Sequence, residues 1–153
     1  MSELSRSASV PLFQRLCARD GEMGDAADFD AAGLQTSIAN ELASLLNTRS
    51  RLTMGEFLEC QGTVLDFGIP DFSSLSCKSS DDLASVSQAV QHAIALFAPR
   101  LSHTQVVAIH DDSSNHRGQA KLQISGAVRL GMTLRRVDFD IPVSLSDGVS
   151  EAV

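Results

Sequence analysis

The sequence predicts an α+β fold: two main helices, then a three-stranded antiparallel sheet, with an extended N-terminal arm. Three patterns carry this expectation. Apolar residues recur at helical spacing over 34–47 and again over 81–97. The last third of the chain alternates apolar and polar residues with the two-residue period of a strand. The first 33 residues show neither period.

Residues 1–33 therefore read as an arm and linker, and 34–153 as the domain. The arm carries one apolar cluster, Val10, Pro11, Leu12 and Phe13 with Leu16. The stretch from Asp20 to Asp25 that follows it is rich in acid and glycine and suits a loop. So small a cluster builds no core alone. It must dock on its own domain or on another chain, and the arm as a whole needs docking to become ordered.

The first helix is expected from Leu34, Ile38, Leu42, Leu45 and Leu46, which form one stripe, with Asn47 and Thr48 ending it. Residues 56–65 fit a shorter helix or an irregular segment, broken by Gly68 and Pro70. In the second main helix Leu83, Val86, Val90, Ile94 and Phe97 step by three or four; Asp81 or a neighbouring serine caps it, and Pro99 stops it. Strands are expected at 105–109, 121–130 and 134–145. Leu122, Ile124 and Val128 face one way and Lys121, Gln123, Ser125 and Arg129 the other. The expected core is Leu42, Leu45, Val86, Val90, Ile94, Phe97, Val107, Leu122, Ile124 and Phe139. Helices first and strands after give an α+β domain.

Composition excludes several functions. A formal net charge of −7 argues against nucleic acid and anionic membrane surfaces, both of which need a basic stripe. Cys17, Cys60 and Cys77 form no paired CxxC, so they read as reduced thiols in a cytoplasmic protein rather than as a zinc site. Met1 to Val10 contains no apolar signal core, and no stretch approaches the ~20 apolar residues of a membrane span.

No catalytic signature outweighs a structural explanation. The G-x-S-x-G elbow is absent. His110, Asp111, Asp112 and His116 crowd one segment, but its Ser and Asn content reads as a solvated turn, so no metal is expected. Glycoside hydrolysis needs two carboxyls roughly 5–9.5 Å apart. Glu41, Glu56, Glu59 and Asp66 are the central acids, and Glu41 reads as a solvated charge on a helix. Gly21 to Gly24 lacks the lysine of a phosphate loop. No catalytic residue, cofactor or metal is assigned.

Four motifs, in order, resemble the TssE family of type VI secretion baseplate subunits, related to phage baseplate wedge proteins of the historically named lysozyme-like family. They are Leu45-Leu46-Asn47-Thr48-Arg49, the run Gly62 to Asp71, Phe97-Ala98-Pro99-Arg100-Leu101, and the arm segment Val10 to Leu16. The resemblance spans about residues 10–145. It implies a non-enzymatic wedge subunit that joins TssF and TssG, meets TssK through the assembled wedge, and starts polymerisation of the TssB/TssC sheath by strand addition. It implies a cytoplasmic protein, in a baseplate at the inner face of the cell envelope. Carried over residue by residue, it makes Pro11, Leu12, Phe13, Leu16, Pro99 and Arg100 the candidate partner-binding residues.

The family pattern is Glu-Pro-Arg, whereas this chain has Ala98 before Pro99. With no adjacent acid, Arg100 is expected to bond mainly to a partner chain or to backbone carbonyls. The rival expectations are a muramidase using Glu41 and Glu59, and a generic adaptor that binds peptides by strand addition.

Overall fold

The computed structural model describes residues 8–9, 28–29, 31–110 and 119–145. In chain order these form β1 (Ala8–Ser9), β2 (Asp28–Phe29), α1 (Ala31–Leu46), α2 (Met54–Glu59), a 3-10 turn (Val64–Asp66), α3 (Ser80–Phe97), β3 (Leu101–His110), β4 (Gln119–Leu130) and β5 (Thr133–Ser144). β1 and β2 make a small antiparallel pair, and β3, β4 and β5 form a separate antiparallel sheet in that order. The α+β class and the three-stranded sheet are as expected. Pro11, Leu12, Phe13 and Leu16, and the polar segment from Asp111 to Gly118, lie outside the described residues.

The core sits between the helices and one face of this sheet. α1 buries its whole stripe, Leu34, Ile38, Leu42, Leu45 and Leu46. α3 buries Val86, Ala89, Val90, Ala93 and Ile94. Each large aliphatic side chain so covered contributes about 2 kcal/mol. Ser79 caps α3: its Oγ accepts from the Asp82 N–H at 3.3 Å. Asp81 and Asp82 lie in the first turn, where they complement the helix dipole.

β4 turns Ala120, Leu122, Ile124, Val128 and Leu130 into the core. Gly126 belongs to the same row for a steric reason, since a Cβ there would lie 2.7 Å from Leu101 Cδ1. Gly131, at φ +60°, opens the two-residue turn into β5 as a hairpin of this kind requires.

Three core expectations need correction. Val107 is 52% exposed, and Val106 and Ala108 are the buried residues of β3. A bulge between Ser102 and Gln105 shifts the register, with His103 at φ +52°. Counted from the buried Leu101, the extra residue moves the inward phase from odd to even positions. Phe97 and Phe139 pack against the core cluster but stay half-buried. Phe97 ends α3 and meets Phe67 edge-on at 5.4 Å. Phe139 lies on β5, an edge strand.

The region between α1 and α3 is irregular but braced. Arg49 and Ile69 form a parallel bridge. The Ile69 N–H donates to the Thr48 carbonyl at 3.0 Å, and the Ser50 N–H donates to the Ile69 carbonyl at 2.9 Å. Two of the motifs, far apart in sequence, are thereby one structural element. α2 docks on α3 through the fully buried Phe57, whose ring meets His92 at 5.5 Å.

Candidate partner-docking site

Arg100 occupies the corner between α3 and β3. α3 ends where the Ala98 N–H donates to the Ile94 carbonyl, and the Leu101 N–H donating to the Ala98 carbonyl turns the chain into β3. Pro99 cannot continue the helix and lies exposed at this turn. Arg100 Nη1 donates to Ser37 Oγ at 3.0 Å and to Glu41 Oε2 at 3.5 Å. Its Nη2 is shielded from solvent, and no described residue accepts from it.

This arrangement overturns two expectations. Among the described residues Arg100 bonds to side chains of α1 rather than to backbone carbonyls. Glu41 is not a freely solvated charge: it is 31% exposed and ion-paired to Arg100, itself 27% exposed. The reason is spacing. Ser37 and Glu41 are four residues apart on one face of α1, and both lie within reach of Arg100, just beyond the end of α3. Ala98 is 1% exposed, so an acid at that position would be entombed. α1 provides the carboxylate that the local motif lacks.

The other central acids are held in local structure. Thr53 N–H and Oγ1 both donate to Glu56, at 3.0 and 2.7 Å, closing a capping box on α2. Thr63 Oγ1 and N–H donate to Asp66 at 2.6 and 3.1 Å, with Arg51 at 3.6 Å. These bonds hold the Asp66 carboxyl below its ordinary range, the Thr63 hydroxyl having the largest effect. The Thr53 hydroxyl likewise lowers Glu56, and the Ser73 hydroxyl lowers Asp71.

A depressed folded pKa stabilises the fold above the unfolded value, and that gain is lost as pH falls through the folded value. Thr63→Val should therefore destabilise the protein at neutral pH and flatten the loss of stability between roughly pH 5 and pH 3. Urea titrations across that range check this, and an unchanged acid slope would refute it.

The two edges of the sheet differ. α3 reaches over the outer edge of β3: the Ala108 N–H donates to Ser87 Oγ at 2.9 Å, and Gln91 Nε2 donates to the Thr104 carbonyl at 3.3 Å. These side chains occupy backbone groups that an incoming strand would need. Among the described residues no strand pairs with the outer edge of β5. The partners of Arg100 and the blocking of β3 by Ser87 and Gln91 were missed from sequence. Only the four-residue spacing within each pair hinted at a shared face. No group of residues that could hold a metal ion occurs among the described residues.

The family model for baseplate wedge protein gp25 matches residues 32–132. Among solved structures, the chain is similar to the baseplate complex of the type VI secretion system, with TM-score 0.52 and 16% identity over 72% of this chain and 94% of the other. It is also similar to a putative tail lysozyme from Geobacter sulfurreducens, with TM-score 0.51 and 22% identity over 75% and 94%. No curated protein matches. At these identities the two structures show a shared fold. The family match covers well over half the chain, from α1 into the β4–β5 turn, and with it the chain belongs to the gp25 baseplate wedge family.

Proposed function

We propose that this chain is a structural wedge subunit of a type VI secretion baseplate, with no chemistry of its own. It joins TssF and TssG, reaches TssK through the assembled wedge, and starts TssB/TssC sheath polymerisation by accepting a strand. It works in the cytoplasm at the inner face of the envelope. No helix among the described residues is long and apolar enough to cross a membrane, which is compatible with that place.

The observation that carries this reading is the outer edge of β5, unpaired among the described residues, while the other sheet edge is covered by α3. Unpaired N–H and C=O groups template a strand from another protein. The Arg100 corner is the second contact. Glu41 and Ser37 hold Nη1 of the guanidinium, and the exposed part of the Arg100 side chain would meet TssF or TssG. Pro11, Leu12, Phe13 and Leu16 of the arm would make the third.

Co-purification with TssF and TssG, followed by crosslink mapping, tests this directly. Arg100→Ala should weaken wedge assembly about tenfold or more while leaving the fold intact, since a half-buried charge that faces the proposed partner is removed. Assembly at wild-type level would count against the Arg100 contact, and no association with either subunit would overturn the wedge reading.

The name of the tail lysozyme neighbour raises muramidase activity as the second reading. Glu41, Glu56 and Asp66 are engaged by Arg100, Thr53 and Thr63, which leaves no acid–nucleophile pair among them. Clearing of a peptidoglycan suspension that depends on Glu41 and Glu59 would overturn the structural reading.

A further inference from the structure

The direction of each backbone group on β5 follows from the sheet register. Ala108 points its N–H out of the sheet toward Ser87, so the even residues of this part of β3 face outward. The odd residues of β4 therefore bond β3, and its even residues bond β5. Leu122, Ile124 and Gly126 lie opposite Ile141, Phe139 and Val137. The odd residues of β5 thus spend their N–H and C=O groups on β4. Those of Arg136, Asp138, Asp140 and Pro142 face the open edge.

Pro142 changes what this edge can do. It has no N–H, so the outward row offers both donor and acceptor at 136, 138 and 140 but an acceptor only at 142. The two faces also differ in chemistry. Phe139 and Ile141 point to the core side and are half-buried, with the apolar cluster on one flank. On the solvent side Arg136 bonds Asp138 at 3.2 Å and Lys121 bonds Asp140 at 2.8 Å, yet both acids remain more than half exposed.

Resting on the strand addition proposed above, we infer that β5 is a register-limited docking edge. It takes a strand from another protein that pairs with Arg136, Asp138 and Asp140 and ends at Pro142. That strand is apolar on the side lying beside Phe139 and Ile141, and carries a basic residue opposite Asp138 or Asp140. Two antiparallel registers of a second copy of β5 are disfavoured. Antiparallel pairing centred on 138 sets Asp138 against Asp138, and pairing centred on 139 sets Asp138 against Asp140. Like charges directly opposite are repulsive.

The test is residue-resolved hydrogen exchange on the full chain with and without purified TssB/TssC. New protection is expected at the amides of Arg136, Asp138 and Asp140, ending before residue 143. Asp138→Lys should weaken binding about tenfold. Asp138→Pro should abolish the protection with little change in Tm, because that N–H is not used by the sheet. Pro142→Thr should extend protection through 142. Protection on the outer edge of β3, new wild-type protection at the Ser144 amide, or indifference to Asp138→Lys would each overturn this inference while leaving the strand-addition reading in place. If TssB/TssC does not bind the wild-type chain at all, strand addition to the sheath itself fails.

Discussion

Replacing Gly68 with alanine should lower the free energy of unfolding by about 3 kcal/mol or more. Gly68 lies at φ +117°, a region that side chains rarely enter. A Cβ there would lie 2.5 Å from the Thr48 carbonyl oxygen, 2.9 Å from its carbon and 3.0 Å from the Ser50 nitrogen. All three are backbone atoms, so no rotamer change relieves the clash. The chain must separate the Arg49–Ile69 bridge or strain elsewhere. Gly62→Ala is the control: it also has positive φ, but the three atoms nearest its new Cβ belong to the Leu96 side chain, at 3.1–3.3 Å. Its cost should be about 1 kcal/mol, the ordinary left-handed penalty. Urea unfolding of both variants measures the difference. Equal stability would show that the brace between the two motifs can open without cost.

Phe57→Ala should cost about 4 kcal/mol. The ring is fully buried and is the only residue of α2 that is. α2 has six residues, far fewer than an isolated helix needs to persist in water. The Thr53–Glu56 capping box orders its first turn but cannot attach it to the domain. Phe57 makes that attachment, against His92 on α3, and the imidazole is held in turn near the Cys60 carbonyl at 3.2 Å. The variant should therefore show two effects: a lower urea midpoint, and fast hydrogen exchange of 54–60 under conditions where α3 remains protected. Loss of stability without local exchange would place the role of Phe57 in the general core instead. Against a typical total of 5–15 kcal/mol, either substitution takes a large share of the stability.

Much of the fold was legible because burial leaves a period. The α1 stripe from Leu34 to Leu46 is wholly covered, and Leu122, Ile124 and Val128 face inward as their alternation requires. The helix stop at Pro99 is local chemistry and needs no tertiary partner to read. Val107 failed for an equally physical reason. Two adjacent valines fit either phase of a strand, and the His103 bulge that chooses between them leaves no periodic trace.

The candidate site was only half legible. Pro99 and Arg100 were identifiable because a motif carries them, whereas the strands at 121–130 and 134–145 were equal candidates for pairing with another chain. The acid that meets Arg100 was not legible, since Glu41 is 59 residues away and beside an apolar stripe.

The sequence by itself determined the two main helices and the three strands of the sheet, their order, and the buried faces of α1, α3, β4 and β5, because side-chain hydrophobicity acts at fixed helical or strand spacing. Tertiary structure alone decided which sheet edge stays open, which carboxylate answers Arg100, and how Thr48 and Gly68 come to touch. Those outcomes depend on distances between segments remote in the chain. α3 reaches over β3 through Ser87 and Gln91, α1 lays Ser37 and Glu41 beside Arg100, and β5 is left with its backbone facing outward.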